Sequence, residues 1–143
     1  MTLDTLPGWA RRLLDEERVA RLAYVDDNER PRVLPVTFAL SGNAVWSAID
    51  EKPKRPGEPA RVRYLRRRPE AALVVDEYSD DWSRLAWVQL LGRVTVLPAD
   101  EPLAADALAA LAAKYEQYAD RTPPGPLLRL DVERALQWRA APP

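Results

Sequence analysis

At 143 residues, 47% hydrophobic and 30% charged, the chain has the size and composition of one globular domain that buries a core without disulfide staples. Its 21 basic and 22 acidic side chains leave a formal charge of −1, so overall charge invites neither nucleic acid nor an anionic membrane. Cysteine and histidine are both absent, which excludes disulfides, thiolates, Ser–His and Cys–His nucleophile pairs, His-ligated metals and imidazole acid–base chemistry.

The first residues place Asp4, Arg11, Arg12, Asp15, Glu16 and Glu17 where a signal peptide needs an apolar run. No later run approaches the ~18 apolar residues of a membrane span. A cytoplasmic protein with no membrane partner is the expectation. Leu6, Ala10, Leu13 and Leu14 keep helical spacing, predicting a short amphipathic helix over 5–17. Val19–Val25 reads as a strand and Asp26-Asp27-Asn28 as a turn. Pro31–Leu40 alternates, with Leu34, Val36, Phe38 and Leu40 on one face and Pro35, Thr37 and Ala39 on the other. After the turn Ser41-Gly42-Asn43, Ala44–Ile49 returns, so 19–49 is predicted to form a three-strand antiparallel meander.

Asp50–Pro69 then gathers eight basic side chains (Lys52, Lys54, Arg55, Arg61, Arg63, Arg66, Arg67, Arg68) against three acids. Pro53, Pro56 and Pro59 hold its first half extended, and a short helix is expected from near Pro59 to before Pro69, with Val62 and Leu65 on its apolar side. Two readings of this stretch are open: a phosphate or carboxylate site at a helix N-terminus, or a solvated charged face. Ala71–Tyr78 is a buried strand, and Trp82–Val96 a long strand with a bulge or bend at Gly92. Asp100-Glu101-Pro102 opens a helix of about four turns, its stripe made of Ala104, Leu108, Leu111, Tyr115 and Tyr118. Leu127–Trp138 is a closing strand. About six to seven antiparallel strands with helices in the crossovers define an α+β fold, a single domain over 1–143 built on a small, incompletely closed barrel.

Neither a dinucleotide fingerprint nor a P-loop is present. The acids Asp76, Glu77, Asp80 and Asp81 lack the glycine and terminal glutamate of a calcium loop, and no metal is expected there. Trp82 and Trp87 flank Ser83-Arg84, a grouping that suits stacking on a planar ring and holding its polar edge; core or interface anchoring is the other reading. An anion site, the small-faced Thr37 strand and an aromatic–Ser–Arg patch together fit a planar heterocycle with an anionic tail.

These pieces, in this order, resemble the split-barrel flavin and deazaflavin oxidoreductases related to pyridoxamine 5′-phosphate oxidase, in particular the branch that uses coenzyme F420. The resemblance lies in RVARLAYVDDNERPRVLPVTFAL, AIDEKPK, ARVRYLRRRPEAALVVD and DDWSRLAWVQLLGRVTVL. It implies a split-barrel homodimer with two cofactor sites at the subunit interface and a small-molecule substrate. Val36, Thr37 and Phe38 would lie along the deazaflavin ring, and Ser47, Ala48 and Ile49 would line the next strand. Lys52, Lys54 and Arg61 would hold the phosphate, flanked by Tyr64 and Leu65. Trp82, Ser83 and Arg84 would complete the pocket, from the same subunit or its partner.

Many relatives have Lys where this chain has Arg61, and the segment Pro56-Gly57-Glu58-Pro59 reads as lengthened; a Glu58 pointing inward would weaken anion binding. The implied activity is hydride transfer from reduced F420 to a small unsaturated or quinone-like acceptor. The alternatives are an FMN-dependent enzyme on the same scaffold and a non-catalytic F420-binding protein. RNA binding through the basic stretch is set aside on net charge and the lack of an RNP-type aromatic motif. Trp46, Trp87 and Trp138 are expected to be exposed at a dimer interface.

Overall fold

The computed structural model describes residues 2–49 and 58–140. Lys52 and Lys54, both expected at the phosphate, lie outside the described residues. Helix α1 (Gly8–Glu16) buries Ala10, Leu13 and Leu14, the residues its spacing selects. Seven strands follow: β1 (Ala20–Val25), β2 (Pro31–Val36), β3 (Ala39–Ser41), β4 (Ala44–Ala48), β5 (Glu70–Glu77), β6 (Ala86–Leu97) and β7 (Leu127–Arg139). Helix α2 (Ala60–Arg67) sits between β4 and β5; α3 (Ala105–Lys114) and α4 (Glu116–Asp120) sit between β6 and β7.

All strands join one antiparallel sheet in the order β2-β1-β5-β6-β7-β4-β3. Strands β2 and β3 stand at opposite edges, yet only Thr37 and Phe38 separate them in the chain. In a flat seven-strand sheet those edges would be ~29 Å apart, whereas the link from Val36 to Ala39 spans at most ~11 Å. The sheet must therefore curl until its edges nearly meet. They meet without pairing, which makes the fold a split barrel of the α+β class.

This geometry corrects the expected meander. The run Pro31–Leu40 is two strands: β2 pairs with β1, and β3 pairs with β4 at the facing edge of the split. Val36 and Phe38 enter the main core, as the alternation requires, but Ala39 enters a second one. The main core fills the barrel, plugged by Val62 and Leu65 of α2, neither of which retains any exposure. The second lies between α3 and the outer side of β3 and β4, where Ala107 and Leu111 meet Trp46 and Ala48. Trp46, expected at the surface, is only 4% exposed, because α3 covers it.

Gly92 marks the predicted irregularity. The β6–β7 register shifts between Leu91 and Gly92, and a Cβ there would lie 1.9 Å from the Asp131 carbonyl oxygen. Two further expectations need correction. The strand expected from Trp82 starts at Ala86, since Asp81 caps a 3-10 turn over Trp82–Arg84. The helix expected to run on to Tyr118 breaks at Tyr115, whose φ and ψ of −122° and 119° are extended. Among the described residues no helix is long and apolar enough to cross a membrane.

Candidate functional site

The two-residue crossover is held by side chains that reach it from three directions. Ser47 donates its hydroxyl to the Thr37 carbonyl at 2.7 Å. The Phe38 N–H donates to the Tyr115 hydroxyl at 3.0 Å, and the single proton of that phenol is shared between the Arg18 carbonyl (2.8 Å) and the Phe38 carbonyl (3.0 Å). Thr37 Oγ1 lies 2.8 Å from the Tyr118 hydroxyl. The Lys114 ammonium sits 3.6 Å from the centre of the Phe38 ring and donates to the Leu14 carbonyl at 3.1 Å, and Arg18 donates back to the Lys114 carbonyl. Burial lowers the Lys114 pKa to about 8, and burial raises that of the Tyr115 phenol. A segment that no ladder pairs thus has three of its four backbone polar groups, the Thr37 carbonyl and the Phe38 N–H and carbonyl, met by side chains.

Val36, Thr37 and Phe38, expected along a planar ring, meet here Ser47, Ala48 and Ile49, expected on the strand beside it. Five of them are buried, and Thr37 alone of the six keeps its side chain half-exposed. What this wall presents is therefore mostly backbone plus the Thr37 hydroxyl. Two open clefts flank it. One, of about 560 Å³, is lined by Arg18, Val19, Thr37, Tyr115 and the residues of α4; the other, of about 210 Å³, runs from Ile49 past Tyr118 to Thr122.

A second group lies on α2. Tyr64 stacks on Tyr24, ring centres 6.2 Å apart, while Leu65 is spent wholly in the core. Arg61 differs from the arginines around it: among the described residues its Nε is the buried side-chain polar atom with no hydrogen-bond partner. Arg66 grips Glu58 at 2.5 Å, Arg67 pairs with Asp27 at 3.0 Å, and Arg68 donates to the Asp26 carbonyl at 3.0 Å. Glu58, expected to weaken an anion site, is turned onto Arg66, whose hydrogen bond holds its carboxyl below the usual range. Pro59, at the helix N-cap, supplies neither a side-chain cap nor an N–H.

The third group is remote from the second. Asp81 accepts from the Ser83 N–H (3.1 Å) and hydroxyl (2.7 Å), and Arg84 pairs with Glu77 at 3.2 Å. Glu77 ends β5 and Glu70 begins it, next to α2, so the strand's eight residues place Trp82–Arg84 roughly 25 Å from the end where α2 docks. Trp82 is 69% exposed. Asp76 pairs with Arg21, and no group of metal-ligating side chains forms among the described residues.

Sequence reasoning missed Arg18, Lys114, Tyr115 and Tyr118 as site residues. The last two stood on an apolar helical stripe, and their spacing carries no sign of their hydroxyl partners.

The curled seven-strand sheet, plugged by a short basic helix, is that of a split barrel. Residues 6–139 match the family model described as pyridoxamine 5′-phosphate oxidase, and the chain belongs to that family. No curated protein matches it. Among solved structures it resembles a conserved hypothetical protein of Mycobacterium tuberculosis (TM-score 0.73, 16% identity, 96% of this chain and 88% of that one). It also resembles an FAD-binding protein of Mesorhizobium loti (TM-score 0.68, 20% identity, 92% and 94%). A heme storage protein of Vibrio cholerae has a TM-score of 0.73 at 16% identity, over 94% of each chain. At these identities the likeness is one of fold.

Proposed function

We propose that the chain is a coenzyme F420-dependent oxidoreductase that works as a homodimer on a small unsaturated or quinone-like acceptor. Arg61 carries the reading: a guanidinium with a buried, unpartnered Nε at the first turn of a helix is a built demand for an anion. Arg66, Arg67 and Arg68 meet acids within the chain and Arg63 meets the Glu58 carbonyl, so Arg61 is the group that a coenzyme phosphate would satisfy, with Lys52 and Lys54. The backbone of Val36–Phe38 and Ser47–Ile49, clamped from behind, would flank the ring. F420, when bound, supplies the hydride chemistry; the residues of this chain bind it, orient it and keep water away. Trp82, Ser83 and Arg84 lie too far from α2 to complete a pocket built around it, and in this reading they complete the partner subunit's. Half-exposed Trp87 and Trp138, directly paired across β6 and β7, would then lie in the subunit interface.

The FAD-binding relative supports a second reading, FMN on the same wall. The heme storage relative supports a third, but His and Cys, the commonest axial ligands, are absent. Titrating the cofactor-free protein with F420, FMN and heme, each followed by its own optical signal, separates the three. Tight FMN binding with no F420 binding would sink the first choice. F420 binding without turnover over a broad acceptor panel would leave a coenzyme-binding protein, and a monomer by light scattering would remove the shared pocket.

A further inference from the structure

We infer that the turn between β1 and β2 sets which anions α2 accepts. Glu29 and Asp27 stand on Arg68 and Arg67, so the helix takes a single phosphate group at Arg61 and disfavours ligands whose negative charge continues along it. The inference rests on the reading of Arg61 as an anion site, and not on which cofactor brings the anion.

Arg61, Tyr64 and Arg68 follow at spacings of three and four, one stripe of α2 that continues just past its last residue. About 10 Å of helix axis separates the two arginines, a span that one phosphate does not bridge and a chain of anionic groups does. Their states are opposite. Arg61 keeps its buried Nε without a partner, whereas Arg68 donates to the Asp26 carbonyl and lies 4.0 Å from the Glu29 carboxylate. Arg67, beside it, pairs with Asp27 at 3.0 Å. A second anionic group arriving at this end of the helix meets arginines already neutralised and two carboxylates that repel it.

The turn is built to put acids there. The buried Asp26 carboxylate accepts from the Asn28 N–H at 2.8 Å and the Arg30 N–H at 3.0 Å and lies 3.4 Å from the Arg32 guanidinium, which fixes the loop. Tyr24 near the end of β1 stacks on Tyr64, tying the hairpin to the helix between Arg61 and Arg68. Glu29 has a φ of 61°, the left-handed region that glycine or asparagine occupies at less cost, and among the described residues it is the one non-glycine there. At 82% exposure its side chain adds no packing. What it adds is a charge facing α2. Ion pairs this exposed contribute little to stability, so their larger effect is on the field that an incoming anion meets.

The test titrates the full-length protein, without coenzyme and at low salt, with inorganic phosphate and with tripolyphosphate. The double variant Asp27→Asn, Glu29→Gln keeps both side-chain shapes and removes both charges. It should bind tripolyphosphate about five-fold more tightly than wild type, and phosphate less than about two-fold more tightly, with the gain fading as salt is raised. Adding Arg68→Gln should remove most of the gain. No gain, an equal gain on both probes, or a gain that survives Arg68→Gln would overturn the inference while phosphate binding still depends on Arg61. Phosphate binding unchanged by Arg61→Ala would refute the anion reading and the inference with it. F420 that fails to bind a protein giving the expected phosphate results would refute the coenzyme reading and leave the role of the turn standing.

Discussion

The crossover and helix α2 both depend on polar contacts, but the contacts differ in kind. At the crossover, neutral hydroxyls meet backbone groups in a setting where Phe38 has no exposure and Tyr115 only 7%. On α2, Arg66 and Arg67 meet carboxylates in water, their side chains 49% and 70% exposed. Buried, a hydrogen bond that loses one partner costs the full desolvation of the other; exposed, an ion pair competes with solvent and salt. The first region should therefore hold the site's shape, and the second should contribute chemistry only where an atom is left wanting, as at Arg61.

The largest effect should come from Tyr115→Phe, which keeps the ring and deletes the hydroxyl. Phe38 N–H then loses its partner, and the Phe38 and Arg18 carbonyls lose theirs, costing about 2–3 kcal/mol in chemical denaturation. A loss below ~1 kcal/mol would mean that water replaces the phenol and that the clamp is incidental.

That clamp also marks where the sequence stops being informative. The Val62 and Leu65 plug, strands β5 and β7 and the Gly92 bulge were all legible, because each follows from local spacing or from one residue's sterics. The crossover was not. Alternation from Leu34 through Val36 to Phe38 reports which side chains are buried and says nothing about which strand they pair with, so one strand and two read alike. The break after Lys114 was hidden for a related reason. Tyr115 occupies a correct stripe position, and what pulls its backbone out of the helix lies 77 and 97 residues away in sequence. Of the ring wall, Val36–Phe38 and Ser47–Ile49 were placed together by resemblance and lie side by side; Trp82–Arg84, left open between the same subunit and its partner, lie away from α2 within one chain.

Next in size is Arg61→Ala, which tests the other side of the comparison. Coenzyme binding should fall about ten-fold, the loss of one charge-assisted contact, while the unfolding midpoint stays near wild type. A large stability loss without a binding loss would mean that Arg61 is structural.

Lys114 lies between the two regimes, a charge drawn into the clamp. Its folded pKa of about 8 is below the ordinary 10.5, so between these values the unfolded chain holds the proton that the folded one has released. Stability should consequently rise with pH across that window, by about 1 kcal/mol from pH 8 to 9.5 once partial exposure is allowed for. Lys114→Met should flatten the rise, and parallel profiles for the two proteins would show that the ammonium stays charged on the Phe38 ring.

The smallest effect belongs to Arg67→Ala. Its partner Asp27 is itself 45% exposed, and the carboxylate left behind is hydrated by water in place of the guanidinium, so the unfolding midpoint should not shift measurably at physiological salt. Coenzyme binding should change by less than about two-fold there, against the ten-fold of Arg61→Ala, because Arg67 already has its anion. Any effect that does appear should fade as salt is raised, since a tail drawn by exposed charge is screened within a Debye length. If Arg67→Ala weakened binding as much as Arg61→Ala, and did so at high salt, the whole arginine face of α2 would be the anion site and the orphaned Nε would lose its special standing.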